Sequence, residues 1–165
     1  MAITYTTGTS PAITSFASLA SINTTATAAA SSAAYTTDTT KATVDAQVQL
    51  TIATPAFTPS ATTQINVYAY GSSDGTIYPG AGATTEVVDG TDKALTLSTL
   101  GNNLVFLGII MCHTSGATMD SEPFSIRSAF GYLPKKWGIV ITNGLPAGAS
   151  LAASGHAIRV VEISY

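Results

Sequence analysis

From Ala42 to Ala53 apolar and polar side chains alternate without a break. Val44, Ala46, Val48, Leu50 and Ile52 fall on one side, and Asp45, Gln47, Gln49 and Thr51 on the other. A helix would scatter this set around its circumference, whereas a strand, with a side-chain period of two, gathers it into one apolar and one polar face. The segment therefore predicts a half-buried β-strand. Ile65, Val67 and Ala69 repeat the pattern with Tyr68 and Tyr70 on the opposite face. Gly71-Ser72-Ser73-Asp74-Gly75 then supplies a turn, which predicts a hairpin towards Thr76-Ile77-Tyr78.

Further strands are expected at Glu86–Val88, Ala94–Leu97, Leu104–Cys112, Phe124–Phe130, Lys136–Thr142 and Ala157–Ser164, with turns at Asp89-Gly90, Gly101-Asn102-Asn103, Gly131 to Pro134, and Asn143-Gly144 to Pro146. Leu104–Cys112 is apolar on both faces, as for a strand packed in the middle of a sandwich. Frequent Thr, Ser, Ala, Gly and Val favour strands and turns over long helices, because β-branched side chains lose freedom against a preceding helical turn. Eight or nine short strands at this spacing predict an all-β fold, an antiparallel β-sandwich of jelly-roll type. The 165 residues suit one domain. Residues 26–165 read as the sandwich and 1–25 as an extended arm. Within the arm Ile13, Phe16 and Leu19, three apart, would line a short helical turn, and Ala26 to Tyr35 looks extended.

Charge is scarce. Asp, Glu, Lys and Arg make up 9% of the chain, against about 25% in an ordinary soluble domain. Charged side chains keep monomers apart and guard sheet edges, so the composition suits a subunit covered by partners. Nine acids against six bases give a net charge of −3. Apart from Lys135-Lys136 the bases are scattered, which excludes a stripe for a phosphate backbone and hence nucleic acid as a partner. The longest apolar stretch, Leu104 to Cys112, falls short of the roughly 20 residues a bilayer span requires. The N-terminus shows neither the basic nor the apolar region of a signal peptide, so synthesis and assembly are expected in the cytoplasm.

Titratable groups are too sparse to suggest catalysis. His113 and His156 each stand alone, without the spacing of a zinc site, and no nucleophile elbow, phosphate loop or dinucleotide fingerprint is present. Glu86 and Glu122 have nothing to set them at the separation of a glycosidase pair. The single cysteine, Cys112, reads as a small buried hydrophobe, with His113 on the opposite face of its strand. Asp89-Gly90-Thr91-Asp92 and Asp74-Gly75-Thr76 hold oxygens that calcium favours, yet Asp takes such positions by bonding its own backbone. Asn23-Thr24-Thr25 fits a glycosylation acceptor by chance in a Thr-rich segment. No catalytic residue, metal site or cofactor is expected.

The aromatics carry more information. Tyr68, Tyr70, Tyr78, Tyr132 and Trp137 would serve either a stacking platform for sugar rings or the core and subunit interfaces of a sandwich. Tyr68, Tyr70, Lys135, Lys136 and Trp137 are the candidate binding residues, and a carbohydrate- or receptor-binding module requires Tyr68, Tyr70 and Trp137 on one exposed surface.

Three stretches carry a resemblance: Val44-Asp45-Ala46-Gln47-Val48-Gln49-Leu50, Val67-Tyr68-Ala69-Tyr70-Gly71-Ser72-Ser73-Asp74-Gly75, and Leu133-Pro134-Lys135-Lys136-Trp137-Gly138-Ile139-Val140. In this order and at similar distances they resemble small structural proteins of tailed bacteriophages over roughly residues 25–165. The resemblance implies a virion component, most similar to the decoration (cement) proteins on the outside of the capsid. Its partners would be the major capsid protein or other virion subunits, and it would form a homo-oligomer, with a trimer favoured. A tail, collar or baseplate subunit shares these features. A surface-layer or pilus subunit shares the composition but needs an export signal.

Overall fold

The computed structural model describes residues 4–7, 16–22, 28–79, 88–96, 104–146 and 149–165. The strands are β1 (Thr4–Thr7), β2 (Ala28–Ser31), β3 (Tyr35–Thr36), β4 (Thr43–Ala53), β5 (Gln64–Ser72), β6 (Lys93–Thr96), β7 (Val105–Met111), β8 (Thr118–Asp120), β9 (Phe124–Ser125), β10 (Lys136–Thr142) and β11 (Ala157–Ser164). A 3-10 turn, Ala17–Ser21, and a helical turn, α1 (Ile126–Phe130), complete the set. One sheet runs β1-β11-β4-β8 with β9 also on β4, and the other runs β6-β2-β10-β5-β7 with β3 also on β10. All pairings are antiparallel: β1 with β11, β2 with β10, β4 with β8 and β5 with β7 nest from the outside inward. A long hairpin folded over itself into two facing sheets is the jelly-roll arrangement, to which β6 adds an outer strand on β2.

Alternation explains the core. Ala46, Val48, Leu50 and Ile52 of β4 meet Ile65, Val67 and Ala69 of β5 and Trp137, Ile139 and Ile141 of β10 between the sheets, all of them fully buried. β10 is covered on its other face as well. Val140, Tyr70, Ala29, Val88, Leu95 and Leu104 form a second, smaller cluster on the outside of that sheet. Tyr70 lies so close over Gly138 that a Cβ there would overlap its ring, and the phenol donates to the Ser32 carbonyl at 2.7 Å.

Two strands are broken, and each break is closed by a serine. Between β2 and β3, Ser32 donates its N–H to the Ile139 carbonyl at 2.8 Å, and its hydroxyl accepts the Ile139 N–H at 3.0 Å. Between β8 and β9, Ser121 donates its N–H to the Leu50 carbonyl at 2.8 Å, and its hydroxyl accepts the Leu50 N–H at 3.0 Å. Both serines are buried. A hydroxyl therefore stands in for the missing strand carbonyl where a buried amide would otherwise have no acceptor.

Three features differ from the sequence expectations. Leu104–Cys112 was expected in mid-sandwich, but β7 is a sheet edge, with Phe106 55%, Ile109 42% and Met111 42% exposed. Phe124–Phe130 is a two-residue strand followed by a helical turn. The Ser125 hydroxyl accepts the Ser128 N–H, Asp45 takes the Arg127 N–H, and Gly131 closes the turn at φ 77°, so capping outweighs strand propensity here. The hairpin to Thr76-Ile77-Tyr78 does not form, because β5 is already paired on both sides, by β10 and β7. The described part of segment 1–25 lies against the sandwich. Residues 4–7 pair with β11, while Leu19 and Ile22 are buried in the main core. The Asp92 carboxylate fastens this segment by accepting the N–H groups of Ala17 and Ser18 at 2.6 and 3.1 Å. Ile13, Asn23-Thr24-Thr25, Glu86 and Gly101-Asn102-Asn103 lie outside the described residues.

Replacing Ser32 or Ser121 by Ala leaves a buried strand amide without an acceptor. Each change is expected to cost about 1–3 kcal/mol, read as a lower urea midpoint at unchanged slope.

Candidate interaction surfaces

The alternation that built the core also decides where the candidate binding residues go. Trp137 shares the parity of Ile139 and Ile141 and so points inward; it is fully buried, its ring centre 5.0 Å from that of Tyr35. Its indole N–H has no partner among the described residues. Tyr70 is on the outer face but lies under the second cluster, and burial holds its phenol far above the ordinary range. Tyr78 packs edge-on against it at 5.7 Å. Tyr68, also on the outer face, is half-buried, edge-on to Phe106 at 5.4 Å. Lys135 and Lys136 sit at one end of the sandwich with their stems beside Gly75. The five residues are thus divided among the interior, the outer face and one end of the molecule. They form no common exposed platform: the surface that a carbohydrate- or receptor-binding module would require of Tyr68, Tyr70 and Trp137 is absent, since Tyr70 and Trp137 are buried on opposite faces of the sheet.

Most of the acids are turned towards their own chain. Asp74 accepts from the N–H groups of Ile77 and Thr76 and from the Ser72 hydroxyl, which holds its carboxyl at about 2. Asp38 is held at about 2 by the Thr40 hydroxyl, the Thr40 N–H and Lys41. At Asp89 burial works in the opposite direction, but the Thr91 hydroxyl, Lys93 and the Thr91 N–H outweigh it and bring the carboxyl to about 2. Glu162 is buried and accepts the Tyr35 hydroxyl at 2.8 Å and the Asp38 N–H at 3.1 Å. Burial, reinforced by that bond to Glu162, holds the Tyr35 phenol well above its ordinary range.

Among the described residues no three His, Cys, Asp or Glu side chains come together. Burial pushes the Cys112 thiol up to about 11, which suppresses the thiolate. His156 accepts the Ala53 N–H at Nδ1 and reaches the Ala152 carbonyl from Nε2 at 2.7 Å, so its proton is on Nε2 and its role is to fasten the loop between β10 and β11 to the end of β4. No helix among the described residues is long and apolar enough to cross a membrane.

Contact surface is what the molecule offers. Phe106, Ile109 and Met111 project in a row from the outer face of β7, beside Tyr68, Asn66 and Gln64 of β5. Next to Phe106 an open groove of about 320 Å³ runs between β7 and α1, floored by Leu107, Phe124 and Ala129. At the lysine end Ile77, 76% exposed, tips the loop that Asp74 holds, and Ser73 ties that loop to Tyr132 at 3.0 Å. Sequence reasoning missed both surfaces. An apolar strand carries no mark of being at an edge, although an isoleucine after an Asx turn was visible. No family model matches the chain, and no curated protein or solved structure matches it.

Three outcomes are expected. Trp137→Ala should cost about 3–5 kcal/mol, measured by urea unfolding, since the ring fills the core. The three lowered aspartates favour the folded state above their ordinary value of 3.8, and this contribution disappears as pH falls through about 2. The melting temperature is therefore expected to drop between about pH 4 and pH 2. Asp74→Asn should melt lower than the parent at pH 7, with the difference closing near pH 2.

Proposed function

We propose that this chain is a structural subunit of a tailed-phage virion, a decoration or cement protein bound to the outside of the capsid. There it would clamp neighbouring capsomers against the pressure of packaged DNA. One observation carries this reading: a charge-poor sandwich presents an apolar row on an unguarded sheet edge, a surface that a solitary protein would protect. The three stretches that resemble phage structural proteins support it, since they occupy β4, β5 with its following turn, and β10 with its approach. The jelly-roll form supports it as well, because such a sandwich turns loops and edges outward to neighbours while its strands stay rigid. The partners are the major capsid protein and further virion subunits, met through backbone pairing, hydroxyls and apolar contact rather than through charge.

Imaging purified particles at subnanometre resolution tests the reading. Many symmetric copies on the shell are expected; a few copies at the tail or a vertex would make the chain a tail, collar or baseplate subunit, and no copies at all would sink the proposal. Raising salt from about 0.1 to 1 M shortens the screening length from about 10 to 3 Å. Attachment to the shell is nevertheless expected to weaken by less than about threefold, because so few charges are available to screen.

A further inference from the structure

Sheet edges in this fold are treated unequally. β6 carries Lys93 and β8 carries Asp120, each a charge on the edge strand itself. The edge strands β7 and β1 carry none, and around β7 the stretch is long: the 26 residues between Lys93 and Asp120 include no Asp, Glu, Lys or Arg. The adjoining β5, Gln64–Ser72, is also uncharged. The Cys112 N–H bonds to the Thr63 carbonyl at 3.0 Å. In an antiparallel ladder the direction alternates, so Ile110 turns its backbone groups towards β5, while Ile109 and Met111 turn theirs to the open edge. No strand lies beside that edge among the described residues. His113, whose exposed ring stands 3.3 Å from the Met111 carbonyl, touches that edge.

We propose that β7 is a self-pairing edge: two copies of this chain join β7 to β7, antiparallel, about a twofold axis at Ile110. That axis sets Ile109 opposite Met111 of the second copy and Met111 opposite its Ile109. Each such pair exchanges two backbone hydrogen bonds, and the contact is isologous, as a twofold requires. The side chains brought together across the seam are Ile109 and Met111, 42% exposed in each copy, so exposed apolar surface meets exposed apolar surface. Charge complementarity favours a second copy. With no charge on β7 or β5, like meets like without repulsion, and nothing on the edge selects a charged foreign segment.

Area sets the strength. A seven-residue strand is about 23 Å long, and a strip about 10 Å across it covers roughly 230 Å² per copy. A stable dimer needs about 800 Å² per partner. The pairing is therefore weak between free molecules and becomes effective where copies are already held side by side. It does not depend on the virion reading.

Sedimentation equilibrium of the full chain from about 10 µM to about 1 mM is expected to show a reversible monomer–dimer equilibrium. Ile109→Lys places a charge on the edge and should weaken dimerisation at least about tenfold, with circular dichroism unchanged. In a Cys112→Ala background, Ile109→Cys with Met111→Cys should give a covalent dimer on oxidation, because paired Cα atoms about 5.5 Å apart are within disulfide reach. Thr118→Cys on β8 in the same background should give none. The covalent test stands even if the lysine variant fails to fold. A chain monomeric at about 1 mM would overturn the proposal. So would a dimer indifferent to Ile109→Lys, a threefold assembly through another surface, or a chain that stays monomeric while binding a foreign extended peptide along β7.

Discussion

The fold depends on the complete pairing of β10. This strand is covered on both faces, by Trp137, Ile139 and Ile141 in the main core and by Gly138 and Val140 under the second cluster. Its amides and carbonyls have no water to turn to. β5 serves one side along its whole length, and β2 and β3 serve the other. The gap between those two strands falls at Ile139, where Ser32 completes the ladder with one amide and one hydroxyl. Ser121 does the same for Leu50 of β4 in the facing sheet. At Ile139 and Leu50 a chain rich in hydroxyls and poor in charge thus meets the requirement that buried backbone groups be paired with serine hydroxyls rather than with ions.

The scarcity of charge has a second consequence, in where the acids go. Asp38, Asp45, Asp74, Asp89 and Asp92 each accept backbone N–H groups in turns or at the start of helical segments. Glu162 is buried against Tyr35. With these acids committed to tying down loops, few remain to keep neighbouring molecules apart, and the exposed rows on β7 and at Ile77 follow from that allocation.

Much of this was legible in the sequence, for identifiable reasons. β4 and β10 were read to within a residue or so because one face is apolar at period two, and that pattern survives any tertiary context; β11 was legible from its β-branched run although its inner face includes Glu162 and Ser164. The helical turn near Leu19 also appeared, as a 3-10 turn. β7 was misplaced because an apolar run looks the same at an edge as at the centre; neighbours decide between them, and neighbours are non-local. α1 was misread although its signals were present, Ser125 before and Gly131 after. Trp137 was grouped with Tyr70 by residue type, whereas parity with Ile139 and Ile141 already placed it inside. The cover over Tyr70, from Val88, Leu95 and Leu104, and the repairs by Ser32 and Ser121 belong to pairs of distant segments, which no local pattern encodes.

The nested order of pairing also sets a timetable for synthesis. β5 and β7 are separated in sequence by residues 73–104, with β6 between them, and their pairing is complete once Met111 has emerged. β4 finds β8 soon afterwards, but its other edge waits for residues 157–164, and β1 waits for the same strand. A nascent chain therefore carries its most regularly patterned strand half-unpaired until almost the last residue is added. The long-range closure that finishes the sandwich is the step most exposed to mispairing in a crowded cell.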